Sequence, residues 1–250
     1  SDNLLTASGT GEYPLIPIGR LSAITGNEVG VYLDKIRQYE SVQQTAPQTI
    51  GDKAWMKNIA EVTGGLDDGS LANLITSYMD GYEEIASDTL FGAKVYQFSA
   101  NSGSNKALGT NKTIDDLFSE GLSLITYFGH SSPNTIEFNL DDPQSYNNTG
   151  KYPLIIVNGC ASGDLFQFDT ARAFSSGTLS EKFVFADQKG SIGYIASTHF
   201  GLPTQLNYVN TEFYQNFANH MYGQSLGNIL QETMKNVSTV YSSDYIAQTH

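Results

Sequence analysis

Two residues in this chain could do covalent chemistry together. Cys160, the sole cysteine, follows His130 by about thirty residues, and each closes a short apolar run. Leu122–Phe128 passes into Gly129-His130-Ser131-Ser132, and Leu154–Asn158 passes into Gly159-Cys160-Ala161-Ser162-Gly163. A thiol near an imidazole is the minimum for thiolate catalysis. The imidazole takes the proton, the thiolate attacks a carbonyl, and the imidazolium protonates the leaving amine. Small residues around Cys160 let a substrate backbone approach closely. The backbone N–H groups of Cys160 and of Ser131, beside His130, could form an oxyanion hole. The plainer alternative is a cysteine that only fills space, because free Cys is among the most buried residue types.

Such a pair needs two strands that deliver both residues to one edge. Six apolar runs read as strands: Leu15–Gly19, Ile59–Thr63, Lys94–Phe98, Leu122–Phe128, Leu154–Asn158 and Ser191–Ala196. Several are continuous rather than alternating, which favours strands covered on both faces of a parallel sheet. Helix signals fall between them. Thr25-Gly26-Asn27-Glu28, Thr113-Ile114-Asp115-Asp116 and Thr178-Leu179-Ser180-Glu181 have the spacing of helix N-terminal caps. Further helices are expected over Asn73–Thr89, Asn207–Tyr222 and Leu226–Val237. The alternation predicts an α/β fold with a mostly parallel central sheet. Long loops are expected at Ser41–Asp52, Ser99–Lys112, Ser131–Tyr152, Ala161–Gly177 and Thr198–Leu206. Three of them follow strands, and open parallel sheets bind ligands beyond their carboxyl ends.

Composition narrows the function classes. The chain has 250 residues and a net charge of −13, a surface that repels phosphate backbones, so no nucleic-acid partner is expected. No apolar run reaches the roughly 18 residues of a membrane span. A single cysteine excludes an internal disulfide and a multi-thiolate zinc site. The polar, weakly charged composition suits a secreted or cell-surface protein. No cofactor is expected. A structural calcium could sit at Asp141-Asp142 or in the 64–69 loop, although neither has the spacing of an EF-hand.

Tyr127-Phe128-Gly129-His130-Ser131, followed by Asn158-Gly159-Cys160-Ala161-Ser162-Gly163, resembles the His and Cys motifs of the gingipain-type cysteine peptidases, members of the caspase-like clan. Ile18-Gly19-Arg20-Leu21-Ser22 with the helix after it, Gly121–Thr126, and Lys189–Ser197 resemble further family segments in the same order. The resemblance implies a caspase-like three-layer α/β sandwich. It implies Cys160 as nucleophile, His130 as general base and acid, and a protein or peptide substrate. It also implies that residues 1–250 are a single catalytic subdomain of a longer chain. One departure concerns the site: Ser131 stands where the family usually has Gly. If that position needs positive φ, Ser is strained there and the oxyanion hole is misaimed.

Relatives that cut after basic residues use an acidic pocket. Asp80 lies near where that acid would fall, with Asp67 and Asp68 as rivals. Asp80 also reads as a solvated helix residue, and Asp67-Asp68-Gly69 as a turn. Thr198 and His199 follow the strand ending at Ser197 and could line the pocket. His199 also competes with His130 as base. Glu137 or an Asp of the 141–142 pair could orient His130. His220 reads as structural or solvated, and His250 is terminal. Three functions remain open at this point: an endopeptidase, a sortase-like transpeptidase of type IX secretion, and a catalytically silent surface interaction domain.

Overall fold

The computed structural model describes residues 6–7, 13–45, 47–65, 69–140, 142–166 and 177–240. Its centre is a five-stranded sheet in the order β2-β1-β3-β4-β5. The strands are β1 (Asn58–Thr63), β2 (Lys94–Ser99), β3 (Leu124–Phe128), β4 (Leu154–Asn158) and β5 (Gly193–Ala196). Every pairing between them is parallel. The six principal helices are α1 (Gly26–Thr45), α2 (Gly69–Ser87), α3 (Ile114–Glu120), α4 (Leu179–Phe185), α5 (Pro203–Gln215) and α6 (Leu226–Val240).

Period-two alternation divides each central strand between two cores. Ala60, Val62, Ile125, Tyr127, Ile155 and Val157 face one side, where α3 and α4 supply Leu117, Phe118, Leu179 and Phe183. Ile59, Leu124, Phe128, Leu154 and Ile156 face the other, against Ile75, Met79 and Tyr82 of α2 and Phe213 and Tyr214 of α5. β3 and β4 are buried at every position, which is why their sequences run apolar without a break. This is the three-layer α/β sandwich expected from the sequence.

The cap spacings do what they predict. Thr25 Oγ1 accepts from Glu28 N–H at 3.2 Å, while the Glu28 carboxylate accepts from Thr25 N–H at 3.1 Å. Reciprocal capping boxes also open α3 and α4. Three expectations need correction. Leu15–Gly19 forms no strand: Pro14 precedes it, Pro17 interrupts it, and proline has no N–H to give a ladder. Leu15 and Ile16 are left exposed. α1 runs on to Thr45, into the expected Ser41–Asp52 loop, and α5 starts at Pro203, inside the expected Thr198–Leu206 loop. Proline suits a first helical turn, where its missing N–H is no loss. Among the described residues, no helix is long and apolar enough to cross a membrane.

Two charged residues sit where apolar ones are expected. Lys35, the buried residue of α1, donates to the Phe183 and Val184 carbonyls at the end of α4, both at 3.0 Å. Glu61, on β1, is 1% exposed. One of its oxygens accepts from the Tyr214 hydroxyl at 3.2 Å, and that hydroxyl also meets Thr126 Oγ1 at 2.8 Å. The other Glu61 oxygen finds no hydrogen-bond partner among the described residues. Burial pushes this carboxyl up to about 8, the Tyr214 hydrogen bond opposes the shift, and Glu83 and Asp80 on α2 add to it.

A carboxyl that is easier to protonate folded than unfolded stabilises the fold most below its ordinary value near 4.5, and that stability is lost as pH rises through 8. Lys35, lowered to about 7 chiefly by burial, has the opposite slope, but only above about pH 7. Between pH 5 and 7, therefore, Glu61 alone of the two acts. Stability should fall across this range by an amount on the order of 1–2 kcal/mol, and Glu61→Gln should remove most of the slope. Urea midpoints at several pH values test this; an unchanged slope in the variant would refute the assignment.

Candidate active site

Both candidate chemical residues leave the sheet at its carboxyl edge, from neighbouring strands. Phe128 of β3 pairs in register with Asn158 of β4. His130 and Cys160 each lie two residues further on, so the two backbones exit side by side. Gly129 N–H donates to the Asn158 carbonyl at 3.1 Å, which continues the ladder one step past the strands. His130 is exposed, and Cys160 is half-buried.

The turn after Cys160 is pinned from both sides. On the β3 side, Ser131 Oγ donates to the Cys160 carbonyl at 2.8 Å. On the β5 side, Ser197 Oγ donates to the Gly159 carbonyl, and Ala161 N–H donates to the His199 carbonyl at 2.8 Å. Ala161 has φ of 54°, in the left-handed region that residues with a Cβ seldom occupy. Strain of this kind persists only where surrounding bonds over-determine it, and it gathers at functional sites. Gly159 has no room for a side chain, because a Cβ there would lie 2.2 Å from Ser131 Oγ. Ser131 itself is not a positive-φ residue. The steric objection to it therefore falls, and its hydroxyl provides a tie that glycine would not.

The His130 backbone is held just as firmly. Its N–H points to a Glu137 carboxylate oxygen at 3.3 Å, and its carbonyl accepts from the Tyr127 hydroxyl at 2.6 Å. The same Glu137 oxygen accepts from Gly65 N–H, at the β1 exit. Glu137 N–H in turn donates to the Tyr127 hydroxyl at 3.1 Å. Burial pushes the Tyr127 phenol upward, so it stays protonated and able to donate. Gly64 and Gly129 let the two exits meet closely: a Cβ at Gly129 would lie 2.6 Å from Gly64 Cα.

The thiol of Cys160 is turned to the β5 side. Sγ lies 3.9 Å from the Gly201 carbonyl, a weak thiol contact, and no hydrogen bond joins it to the His130 ring. Thr198 lines a groove of about 490 Å³ that runs beside β5, together with Arg20, Phe166 and Tyr194. His199 is exposed and packs edge-on against Phe200, with ring centroids 4.8 Å apart. Phe200 is exposed as well.

The acidic candidates separate. Asp80 is exposed on α2 and accepts from Gln97 Nε2 of β2 at 3.2 Å, so it sits at the sheet edge remote from β4. Asp67, Asp68, Asp141 and His250 lie outside the described residues. Asp142 accepts from Gln144 N–H at 3.0 Å as the cap of a short turn. Among the described residues, no three His, Cys, Asp or Glu side chains converge as metal ligands. His220 ends a π-helical turn that continues α5. Tyr127 and Ser197 were not singled out from the sequence. Only their positions at or just beyond strand ends, beside the two motifs, could have marked them.

The family model for Peptidase family C25 matches residues 1–250. Gingipain R2 of Porphyromonas gingivalis is 27% identical over 207 residues, covering 76% of this chain and 24% of that protein. Gingipain R1 of Porphyromonas gingivalis gives the same identity over the same length and is matched over 18% of its length. The chain thus spans about a quarter or less of these curated relatives. The crystal structure of the Arg-specific cysteine proteinase gingipain R superposes with a TM-score of 0.69 at 19% identity, covering 100% of this chain and 56% of that one. The complex of Porphyromonas gingivalis RgpB pro- and mature domains also gives a TM-score of 0.69 at 19% identity, with 100% and 58% coverage. With the motifs, the sheet and the whole-length family match in agreement, the chain belongs to Peptidase family C25.

Proposed function

We propose that this chain is the catalytic subdomain of a cysteine endopeptidase, with Cys160 as nucleophile and His130 as general base and acid. The observation that carries the reading is the delivery of both residues, two positions past a registered pair, to adjacent exits of parallel β3 and β4. The strained turn at Ala161 is the supporting feature. His130 removes the thiol proton, and the thiolate attacks the scissile carbonyl carbon. The N–H groups of Cys160 and Ser131 are the candidate donors to the resulting oxyanion. The imidazolium then protonates the leaving amine, and a thioester remains. Water, deprotonated by His130, hydrolyses the thioester to the acid and restores the thiol. The His130 side chain is exposed, and catalytic hydrogen bonds are often loose or unmade in sites without substrate.

Substrate contacts are assigned to the loops after β1 and β5, through Asp68, Thr198 and His199. The substrate is a protein or peptide, and the setting is extracellular or the cell surface. Such a role would belong to a longer protein, as in the relatives. One observation favours a silent scaffold instead: the thiol contacts Gly201 rather than His130.

The readings part on experiment. With a peptide substrate library, Cys160→Ala should abolish hydrolysis, and His130→Ala should lower kcat/KM by about 10²–10⁴-fold, both with unchanged thermal unfolding. Hydrolysis that survives Cys160→Ala would sink the peptidase reading, and a wild-type chain inert to every peptide and to thiol electrophiles would favour the scaffold. Ser131→Ala should cost about 1 kcal/mol of stability, the usual net worth of one hydrogen bond; a urea midpoint unchanged by that variant would mean the tie to Cys160 carries no weight.

A further inference from the structure

We infer that Glu137 is the positioning acid of the dyad, holding His130 through its main chain rather than through its ring. The inference rests on the Cys160–His130 reading and deepens it. A charged carboxylate hydrogen-bonded to backbone N–H groups makes bonds roughly twice as strong as neutral ones. Here one Glu137 oxygen faces two such donors, Gly65 N–H at the β1 exit and His130 N–H at the β3 exit. The opposite end of His130 is fixed as well, because Tyr127 donates to its carbonyl and accepts from Glu137 N–H. Glu137, Tyr127 and His130 thus form a closed ring of contacts. It fixes where His130 Cα sits, while among the described residues the imidazole makes no hydrogen bond that would stop it turning.

Glu137 reaches this position because its neighbours are anchors. Ile136 and Phe138, on either side, are buried in the core on the α3–α4 face of the sheet. An antiparallel bridge between Ser131 and Ile136 folds the intervening segment back onto the β3 exit. A residue between two buried anchors has its side chain directed away from that core, and here it is directed to the strand exits. Glu137 also ties Gly65 to His130, and the 66–68 segment that begins beyond Gly65 carries a candidate substrate acid, Asp68. One carboxylate oxygen therefore joins the β1 exit to the backbone of the base.

The lone cysteine gives a test that needs no substrate. Second-order rates of Cys160 alkylation by iodoacetamide at pH 7 would be compared for the wild-type chain, His130→Ala, Glu137→Ala, Glu137→Gln and Tyr127→Phe, with far-UV circular dichroism and thermal unfolding as controls. An imidazole partner raises the thiolate fraction, so His130→Ala should slow alkylation about 10-fold. Glu137→Ala should reproduce most of that loss, and Glu137→Gln, whose amide oxygen still accepts an N–H, should restore about half of it on a logarithmic scale. Tyr127→Phe keeps the buried ring and should slow the reaction by about 3-fold; it also serves if Glu137→Ala does not fold. Slow His130→Ala with unaltered Glu137 and Tyr127 variants overturns the positioning role and leaves the peptidase reading standing. Alkylation indifferent to His130→Ala overturns both.

Discussion

A parallel sheet runs out of partners at its carboxyl edge. Within the ladder the N–H and C=O groups of a central strand have neighbours, but the residues just beyond it must find other partners or meet water. In this chain the shortage is met by side chains. Glu137 serves the β1 and β3 exits, Ser131 joins β3 to β4, and Ser197 joins β5 to β4. The backbone adds Ala161 N–H to the His199 carbonyl and Gly163 N–H to the Ser197 carbonyl. Four strand exits are thus sewn into one surface, and Cys160 and His130 sit on that surface. The positions of the two residues follow from how the edge is satisfied.

The glycines at this edge are there for space. Gly64 and Gly129 face each other across two exits, and Gly159 faces the Ser131 hydroxyl. Removing side chains at these points lets polar groups from neighbouring loops bond across the gaps. Small residues and cross-strand hydroxyls therefore form one device. This explains why Ser131 is compatible with the fold although the family usually has Gly there: its φ is ordinary, and its hydroxyl finds an acceptor.

Much of the sheet was legible in the sequence because its signal is local. Five of the six apolar runs became strands, and all three threonine cap spacings formed helix starts. Leu15–Gly19 is as apolar as the true strands, but Pro14 before it and Pro17 within it keep it out of the ladder. The motifs that lead to His130 and Cys160 were legible for the same reason, since each follows a strand at once. What the sequence could not reveal depends on contacts between distant segments. Glu61 is a charged residue within an apolar run, and its burial depends on α5 closing over it with Tyr214. Glu137 reads as one of several acids in a long loop, and only the burial of Ile136 and Phe138 aims it at His130. Asp80 lies at a plausible sequence distance, but its helix carries it to the far edge of the sheet.

The prolines that defeated the first expected strand have a consequence at the other side of the molecule. β5 is an outer strand only four residues long, and Pro17 stands across the groove that runs beside it. An open edge of this kind is a template on which a second chain can add a strand and begin an aggregate. A segment interrupted by proline can lie alongside such an edge but is a poor extension of its ladder. The N-terminal segment therefore forms one wall of the groove beside β5 without joining the sheet, and its prolines keep it from becoming a sixth strand.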